Sequence, residues 1–413
     1  MTQQTPATDP ARRVAPPGTV QRIADDAEAL AVARELAAVF RREAAERDRQ
    51  RRLPWDELDL YSRSGLGAIT VPRAHGGADV SYRTLAEVFV ILCSADASLG
   101  QIPQNHFALL QNLRDMGSPT QQARWFAAVL QGHRLGNAGP ERKARAARVT
   151  DATARIVRSA HGLSVSGTRF YSTGALFAHW IPFRAEDEAG RPVQVWVPHD
   201  APGVRVIDDW DAFGQRTTAS GTVVLDDVPI EQDDVLPLYA HTDRPNLSGP
   251  VSQLIQAAID AGIARNAFAD ALDYVRTHTR AWVDAGVAAA TDDPYIIQEV
   301  GELAIAVEAA EEVLFQAADR IDAIAALPVT AQSSAEASVA VAEAKVLTTE
   351  AALFASERLL ELAGSSATRA QHNLDRHWRN ARVHTLHDPV RWKHHLIGNY
   401  LLNGALPRRH QWN

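Results

Sequence analysis

The apolar residues of this 413-residue chain change period twice, and that double change restricts the folds open to it. From residue 20 to about 132 they recur at helical spacing, as Leu30, Val32, Leu36, Val39 and Phe40 do within the Ala-, Glu- and Arg-rich run from Ala27 to Arg52. Gly65-Leu66-Gly67 and Gly76-Gly77 mark turns. The nearly continuous apolar run Ala86 to Ala95 predicts a buried helix. Pro119 opens another that ends near Gly132. From about Leu135 to Leu236 the period drops to two, in Leu163–Gly167, Val193–Val197, Gly203–Val206 and Thr222–Leu225, with turn residues between. From Val251 the helical period returns in long pieces, Val251 to Arg280, Tyr295 to about Ala326 and Ser334 to Leu362, the last capped by Gly364. The expected class is α+β: a loose, disordered tail over 1–19, an N-terminal helical domain over 20–134, a central antiparallel β domain over 135–245 and a C-terminal four-helix bundle over 246–413.

Composition closes off several functions. A net charge of −8 argues against a nucleic-acid or anionic-membrane surface as the main partner. No stretch reaches the ~20 apolar residues of a membrane span, and the first 19 residues lack the apolar core of a signal peptide. Cys93 is the single cysteine, so no internal disulfide or thiolate cluster is possible and a cytoplasmic enzyme is expected.

One segment asks for a chemical explanation. LDRHWRNARVHTLHDPVRWKHH, Leu374 to His395, begins as a helix with Arg376, Arg379 and Arg382 three apart, and Pro389 turns the chain at Asp388. His384, His387 and Asp388 are thereby delivered to one helix end. The bland reading is a charged helix with incidental histidines; the sharper one is a site wall. A metal at His384 and His387 lacks an evident third ligand and is opposed by the arginines, so none is expected. No phosphate-cradling glycine loop follows a strand, and neither HExxH nor a G-x-S-x-G elbow occurs. His106, in Gln104-Asn105-His106-Phe107, reads most simply as a satisfied core histidine. Thr168-Arg169-Phe170-Tyr171-Ser172-Thr173-Gly174 sets hydroxyls beside aromatic rings at a strand end, either as a hairpin edge or as a wall for a flat ring system. Asp208 to Arg216 is a polar loop carrying Trp210 and Phe213.

Together the order helical, β, bundle and the segments GTRFYSTG and DDWDAFGQRTTASGTVVLDDVPI resemble the acyl-CoA dehydrogenase fold over nearly the whole chain after the tail. FADALDYVRTHTRAW, residues 268 to 282, resembles the family helix whose arginine reaches a flavin phosphate. Ala363-Gly364-Ser365-Ser366 falls at the family's glycine-rich turn near a neighbouring subunit's cofactor. Where dehydrogenases of this fold commonly carry a catalytic glutamate, His387 stands here, and no Glu follows Glu361. HWRNARVHTLHDPVRWK is instead similar to the flavin-dependent monooxygenases on this fold, the dibenzothiophene monooxygenase type among them. RRLPWDEL and SLGQIPQNHF look closest to the sulfur-acquisition branch, which acts on small sulfones and sulfinates.

The resemblance implies a two-component monooxygenase. A separate reductase supplies reduced FMN by diffusion, and with O2 the flavin forms a C4a-(hydro)peroxyflavin that oxygenates a small organosulfur substrate; the rival is an FAD-dependent acyl-CoA dehydrogenase. It further implies His106 and His387 as the pair near the flavin C4a oxygen, Ser172 at flavin N5, Phe170 and Tyr171 against the ring, and Asn137 at the flavin or the peroxide. Arg280, with Ser365 and Ser366, would lie at the FMN phosphate. Trp210, with His106 and His384, would lie on the substrate side. Arg376, Arg379 and Arg382 are read as ion-pair partners outside the site. The Ala-, Val- and Leu-rich faces of the bundle helices predict a homotetramer with the flavin near a subunit boundary.

Overall fold

A computed structural model describes residues 14, 17–140, 154–160 and 162–413. The helical expectation for 20 to 132 resolves into α1 (Asp26–Arg41), α2 (Ala44–Gln50), α3 (Trp55–Ser64), α4 (Tyr82–Cys93), α5 (Ala97–Gln101), α6 (Gln104–Met116) and α7 (Pro119–Leu130). Side chains cap the starts: Ser81 accepts from Thr84 N before α4, and Ser118 forms a capping box with Gln121 before α7. The single helix expected over Ala27 to Arg52 is broken at Arg42 and Glu43. Arg47 gives the reason. Its guanidinium takes the carbonyl of Phe40, which a continuing helix would give to Ala44 N. The same group donates to Glu57 Oε1 at 2.9 Å and to Asp96 Oδ2 at 2.9 and 3.0 Å. Asp96 in turn caps α5, accepting from Ser98 N and Leu99 N.

The β region forms one sheet from β1 (Arg155–Ser159), β2 (Gly162–Arg169), β3 (Trp180–Glu186), β4 (Pro192–Pro198), β5 (Val204–Ile207), β6 (Thr222–Ile230) and β7 (Val235–Leu236), in the order β5-β6-β2-β1-β3-β4-β7. The sheet is mainly antiparallel, as expected, with one exception. β1 and β3 are joined in parallel through Arg155 and Glu186; every other neighbouring pair is antiparallel. The cause is the stretch from Phe170 to His179. It leaves the sheet after β2 and returns on the far side of β1, so β3 cannot close a hairpin with β2.

After one turn, α8 (Ala240–Asp243), come α9 (Ser248–Thr277), α10 (Pro294–Ala325), α11 (Ala331–Ala363), α12 (Asp375–His384) and α13 (Arg391–Asn403). From Ser248 to Ala264 every residue of α9 is buried. It is the axis of the molecule, and its core continues unbroken into α4 and α6, where Val88, Phe89 and Leu109 belong to the same cluster as Leu254, Ile255 and Ile259. The two helical regions therefore share one core. The sheet keeps a second core of its own around Val165, Phe183, Val195 and Val223. No helix among the described residues is long and apolar enough to cross a membrane.

The Arg47 network makes a stability prediction. Arg47 is 1% exposed, so Arg47→Met strands two buried carboxylates and should lower the unfolding free energy in urea by about 3–5 kcal/mol. A loss of only about 0–1 kcal/mol, the range of an exposed pair, would show that the network is not buried in solution.

Candidate active site

The stretch after β2 builds one wall. Phe170 N donates to Pro140 O at 2.9 Å, Ser172 N to Gly221 O at 3.1 Å and Asn137 N to Thr173 O at 3.1 Å. Asn137 Nδ2 reaches Tyr171 O at 3.4 Å. Tyr171 sits in the left-handed region at φ +54°, is 56% exposed, and meets Trp210 edge to face at 6.2 Å. Gly174 also lies at positive φ, +77°, and a Cβ there would stand 3.1 Å from Ile102 O, so the stretch rests on the α5–α6 junction. Hydroxyls link it to the next loop: Thr173 Oγ1 to Ser220 Oγ and Ser220 Oγ to Thr218 Oγ1, each 2.7 Å, with Thr218 Oγ1 donating to Gln215 O at 3.0 Å. Trp210 Nε1 donates to the same carbonyl at 2.9 Å. Inside this frame Ser172 Oγ and both amide atoms of Gln215 are buried without a protein partner.

The second wall is helical. Gln215 N donates to Asn380 Oδ1 at 2.7 Å. Gly214 permits the approach, since a Cβ there would fall 2.0 Å from Arg379 O. One turn past Asn380, His384 is buried with Nδ1 2.5 Å from Asp260 Oδ1 on α9. The carboxylate only accepts, so Nδ1 carries the hydrogen and Nε2 is bare, enclosed and unpartnered. Asp260 Oδ2 accepts from Lys345 Nζ at 2.6 Å and Thr349 Oγ1 at 2.9 Å, both on α11. Burial alone would raise the Asp260 carboxyl, but Lys345 and His384 outweigh it and hold it at about 2. Burial pushes the His384 imidazole below its ordinary value in spite of Asp260.

His387 repeats the pattern nearer solvent. Its side chain is 37% exposed, with Nδ1 3.1 Å from Asp388 Oδ1 and Nε2 accepting from Gln256 Nε2 at 3.3 Å. Asp388 stands 3.5 Å from Lys393 Nζ. Burial opposes ionisation of Asp388, yet His387, Lys345 and Lys393 hold its carboxyl well below the usual range. Gln256 Oε1 is a further enclosed acceptor with no partner. The first wall carries aromatic faces and the unpartnered Ser172 and Gln215 groups, and the second, joined to it through Gln215 and Asn380, carries the open acceptors His384 Nε2 and Gln256 Oε1. That set matches the edge of a flavin, where donors and acceptors alternate, and offers imidazole in place of a carboxylate base.

Asn137, Phe170, Tyr171, Ser172 and Trp210 thus fall on the first wall, and His384 and His387 on the helical one, the two linked through Gln215 and Asn380. His106 is a correction. It is buried, its Nε2 donates to Gly67 O at 2.7 Å and its Nδ1 accepts from Leu135 N at 3.1 Å, so neither nitrogen is free for a substrate or oxygen. Burial pushes its pKa down to about 4, against the Gly67 hydrogen bond. It is a strut between backbone segments. Arg280, Ser365 and Ser366 stand apart as well. α9 ends at Thr277, short of the expected Arg280, which is exposed beyond it. Ser366 Oγ lies 3.0 Å from Tyr274 OH, and Thr279 Oγ1 donates to Leu362 O at 3.3 Å. Tyr274 is 18 residues from Gln256 along α9, about 27 Å at 1.5 Å per residue. Two of the arginines are ion-paired: Arg376 with Asp270 at 2.5 Å, and Arg379 with Asp48 at 2.6 Å and Asp375 at 2.7 Å. Arg382 Nη2 donates to Thr385 Oγ1 at 2.9 Å. Gln215, Gln256 and Lys345 carry no signal of a site in the sequence, whereas Asp260 is visible there as the one charge between Val251 and Ala264.

Comparison with known proteins gives the family. Residues 25–133 match the acyl-CoA dehydrogenase N-terminal domain and residues 254–392 the acyl-CoA dehydrogenase C-terminal domain. The chain is 34% identical over 407 residues to a dibenzothiophene monooxygenase of Rhodococcus erythropolis, covering 94% of this chain and 96% of that one. Among solved structures it is similar to FMN-bound TdsC, a dibenzothiophene monooxygenase of Paenibacillus sp. A11-2, at 35% identity and a TM-score of 0.87, covering 93% and 100%. It is also similar to the methanesulfinate monooxygenase MsuC of Pseudomonas fluorescens, at 30% identity and a TM-score of 0.85, covering 93% and 99%.

The reassignment of His106 is measurable through pH. Its folded pKa near 4 lies below the unfolded value of 6.5, so it stays neutral in the folded chain while the unfolded chain takes up a proton. Its share of stability is present above pH 6.5 and is lost as pH falls toward 4, by roughly 3 kcal/mol. Urea titrations between pH 6.5 and 4.5 should show a slope about one proton shallower in His106→Gln than in the unsubstituted protein. Equal slopes would mean that His106 is accessible and titrates freely.

Proposed function

The chain belongs to the acyl-CoA dehydrogenase family, on its flavin-dependent monooxygenase branch, and from that premise we propose that it is the oxygenase of a two-component system. It takes reduced FMN from a separate reductase, through diffusion of the flavin, and with O2 oxygenates a small organosulfur compound of the sulfone, sulfinate or thiophene type. The observation that carries this reading is the pair of unpartnered buried groups, Ser172 Oγ and the Gln215 amide, beside aromatic rings and opposite two Asp-held histidines. Bound reduced FMN supplies the electrons and the reaction with O2. The protein's own residues do the rest. Phe170, Tyr171 and Trp210 take the flat faces of flavin and substrate, while Ser172, Asn137 and Gln215 supply hydrogen bonds to the ring edge. His387 serves as a proton donor or acceptor.

The distance between this set and Arg280, Ser365 and Ser366 supports a site shared between subunits, in which a neighbour's Arg280 meets the FMN phosphate. Trp282, Val283, Tyr295, Ile305, Leu401 and Leu402 are exposed on the isolated chain, in keeping with a homotetramer. The cytoplasm is its expected place. An FAD-dependent acyl-CoA dehydrogenase is the weaker reading, because α-proton abstraction needs a positioned carboxylate with a raised pKa. Asp388 is held low by His387 and the two lysines.

A panel assay with reduced FMN and O2 tests the proposal. One of dimethyl sulfone, an alkanesulfinate or dibenzothiophene should be oxygenated, and a saturated acyl-CoA should be left untouched. In His387→Ala, product formation should fall by ~10²–10⁴ while hydrogen peroxide is released in its place. Acyl-CoA turnover by the unsubstituted enzyme, or full coupling in that variant, would defeat the reading. Arg280→Ala should weaken FMN binding by ~1.5–3 kcal/mol, the scale for a hydrogen bond to a charged group. An unchanged affinity in equilibrium dialysis would take Arg280 out of the site.

A further inference from the structure

Gln253, Gln256 and Asp260 lie three and four residues apart and form a polar stripe on an otherwise apolar, fully buried stretch of α9. The charges around it cancel in pairs. Asp260 faces Lys345, and Asp388 faces Lys393. Each carboxylate also receives one imidazole through Nδ1, His384 on Asp260 and His387 on Asp388. With both pairs neutral, protonating His384 would place an uncompensated cation where its own side chain and that of Asp260 are 0% exposed. Asp260 has no oxygen left for another role, since Lys345 and Thr349 saturate Oδ2 and His384 takes Oδ1. Three acceptors in this array are left open, Gln253 Oε1, Gln256 Oε1 and His384 Nε2, and of these only the imidazole nitrogen is basic. A buried acceptor without a donor costs about 1–3 kcal/mol, and a well-packed core does not hold one for packing alone.

We propose that Asp260 and Lys345 are positioning residues: they lock His384 as the neutral, Nδ1-protonated tautomer, so that its bare Nε2 receives a proton or hydrogen bond from an O–H or N–H group of the molecule bound in the site. Lys345 keeps Asp260 charged without calling on the imidazole to be a cation. Asp260 keeps the imidazole's basic nitrogen turned away from itself. The groups that face His384 are Asp260 from α9, Lys345 from α11 and, from the segment that follows it, His387 and Asp388, with Lys393 behind Asp388. Among these, none supplies a donor to Nε2. The inference rests on the oxygenase reading only for the identity of the bound molecule; the tautomer is a property of the protein alone.

Two variants test it. In Asp260→Asn the amide oxygen must turn to the donors Lys345 and Thr349, which leaves the amide N–H facing His384 Nδ1 and forces the hydrogen to Nε2. Nitrogen NMR of the ligand-free, ¹⁵N-histidine-labelled protein should show the His384 pair exchange shifts, pyrrole-type nitrogen for pyridine-type, in Asp260→Asn. The resonance is assigned by its loss in His384→Asn. An unchanged pair, or a protonated Nε2 in the unsubstituted protein, would overturn the proposal. Should Asp260→Asn fail to fold, His384→Asn carries the test, because its amide N–H still reaches toward Asp260 while Nε2 is deleted. That variant should keep its near-ultraviolet circular dichroism and FMN affinity. It should also divert at least about 100-fold of its product flux to hydrogen peroxide, the scale of a lost acid–base group. Wild-type coupling in a folded His384→Asn would reduce His384 to a structural strut. If the unsubstituted enzyme oxygenates no organosulfur compound, the functional reading fails while the NMR result still decides the tautomer.

Discussion

The contact on which the rest of the molecule depends is the fully buried ion pair of Asp260 and Lys345, 2.6 Å apart with both side chains inaccessible. An isolated charge at that depth is prohibitive, so each of the two exists only because the other helix is in register. α9 and α11 are long and carry many small apolar residues, surfaces that would tolerate sliding past one another. The ion pair and Thr349 remove that freedom. His384 extends the same lock to α12, and Asn380 carries it to the loop of the β domain that holds Gln215. One polar knot thus aligns two long helices, a short one and a loop.

Much of the architecture was legible in the sequence. The long helices α9, α10 and α11 stand within three residues of the ends read from periodicity, because an apolar stripe of that length has no competing explanation. β2, β4, β5 and β6 were visible by alternation. β3 was not, because Trp180–Glu186 is largely buried on both faces and so does not alternate, and β7 is only two residues long. The parallel junction of β1 and β3 was invisible for a different reason: it follows from where a connecting loop travels, which no local pattern records.

The candidate site was legible in part. Segments rich in aromatic and hydroxyl residues at a strand end announced Phe170, Tyr171 and Ser172, and Asn137 and Trp210 came with the resemblance. His106 shows where such reading stops. A histidine among polar neighbours looks the same whether its nitrogens face a ligand or the carbonyl of Gly67 and the amide of Leu135, and only coordinates separate the two. Gln215 is the converse. Its backbone sits at φ +49° and its amide points inward, yet glutamine in a polar loop gives no sign of either. Asp260 stands out as the one charge in the buried first half of α9, but Lys345 shares α11 with Glu343 and Glu350, and 85 residues separate the two partners.

α9 runs as one helix from the Gln256–His387 contact to the Tyr274–Ser366 contact, with no proline between them and a single glycine, Gly262, packed closely against Val90 and Cys93 of α4. It behaves as a stiff rod whose two ends serve different tasks. An axial shift or rotation imposed at Gln256 arrives nearly undiminished at Tyr274, about 27 Å away. The helix alone therefore fixes the position of the Gln256 contact relative to the surface around Tyr274 and Ser366.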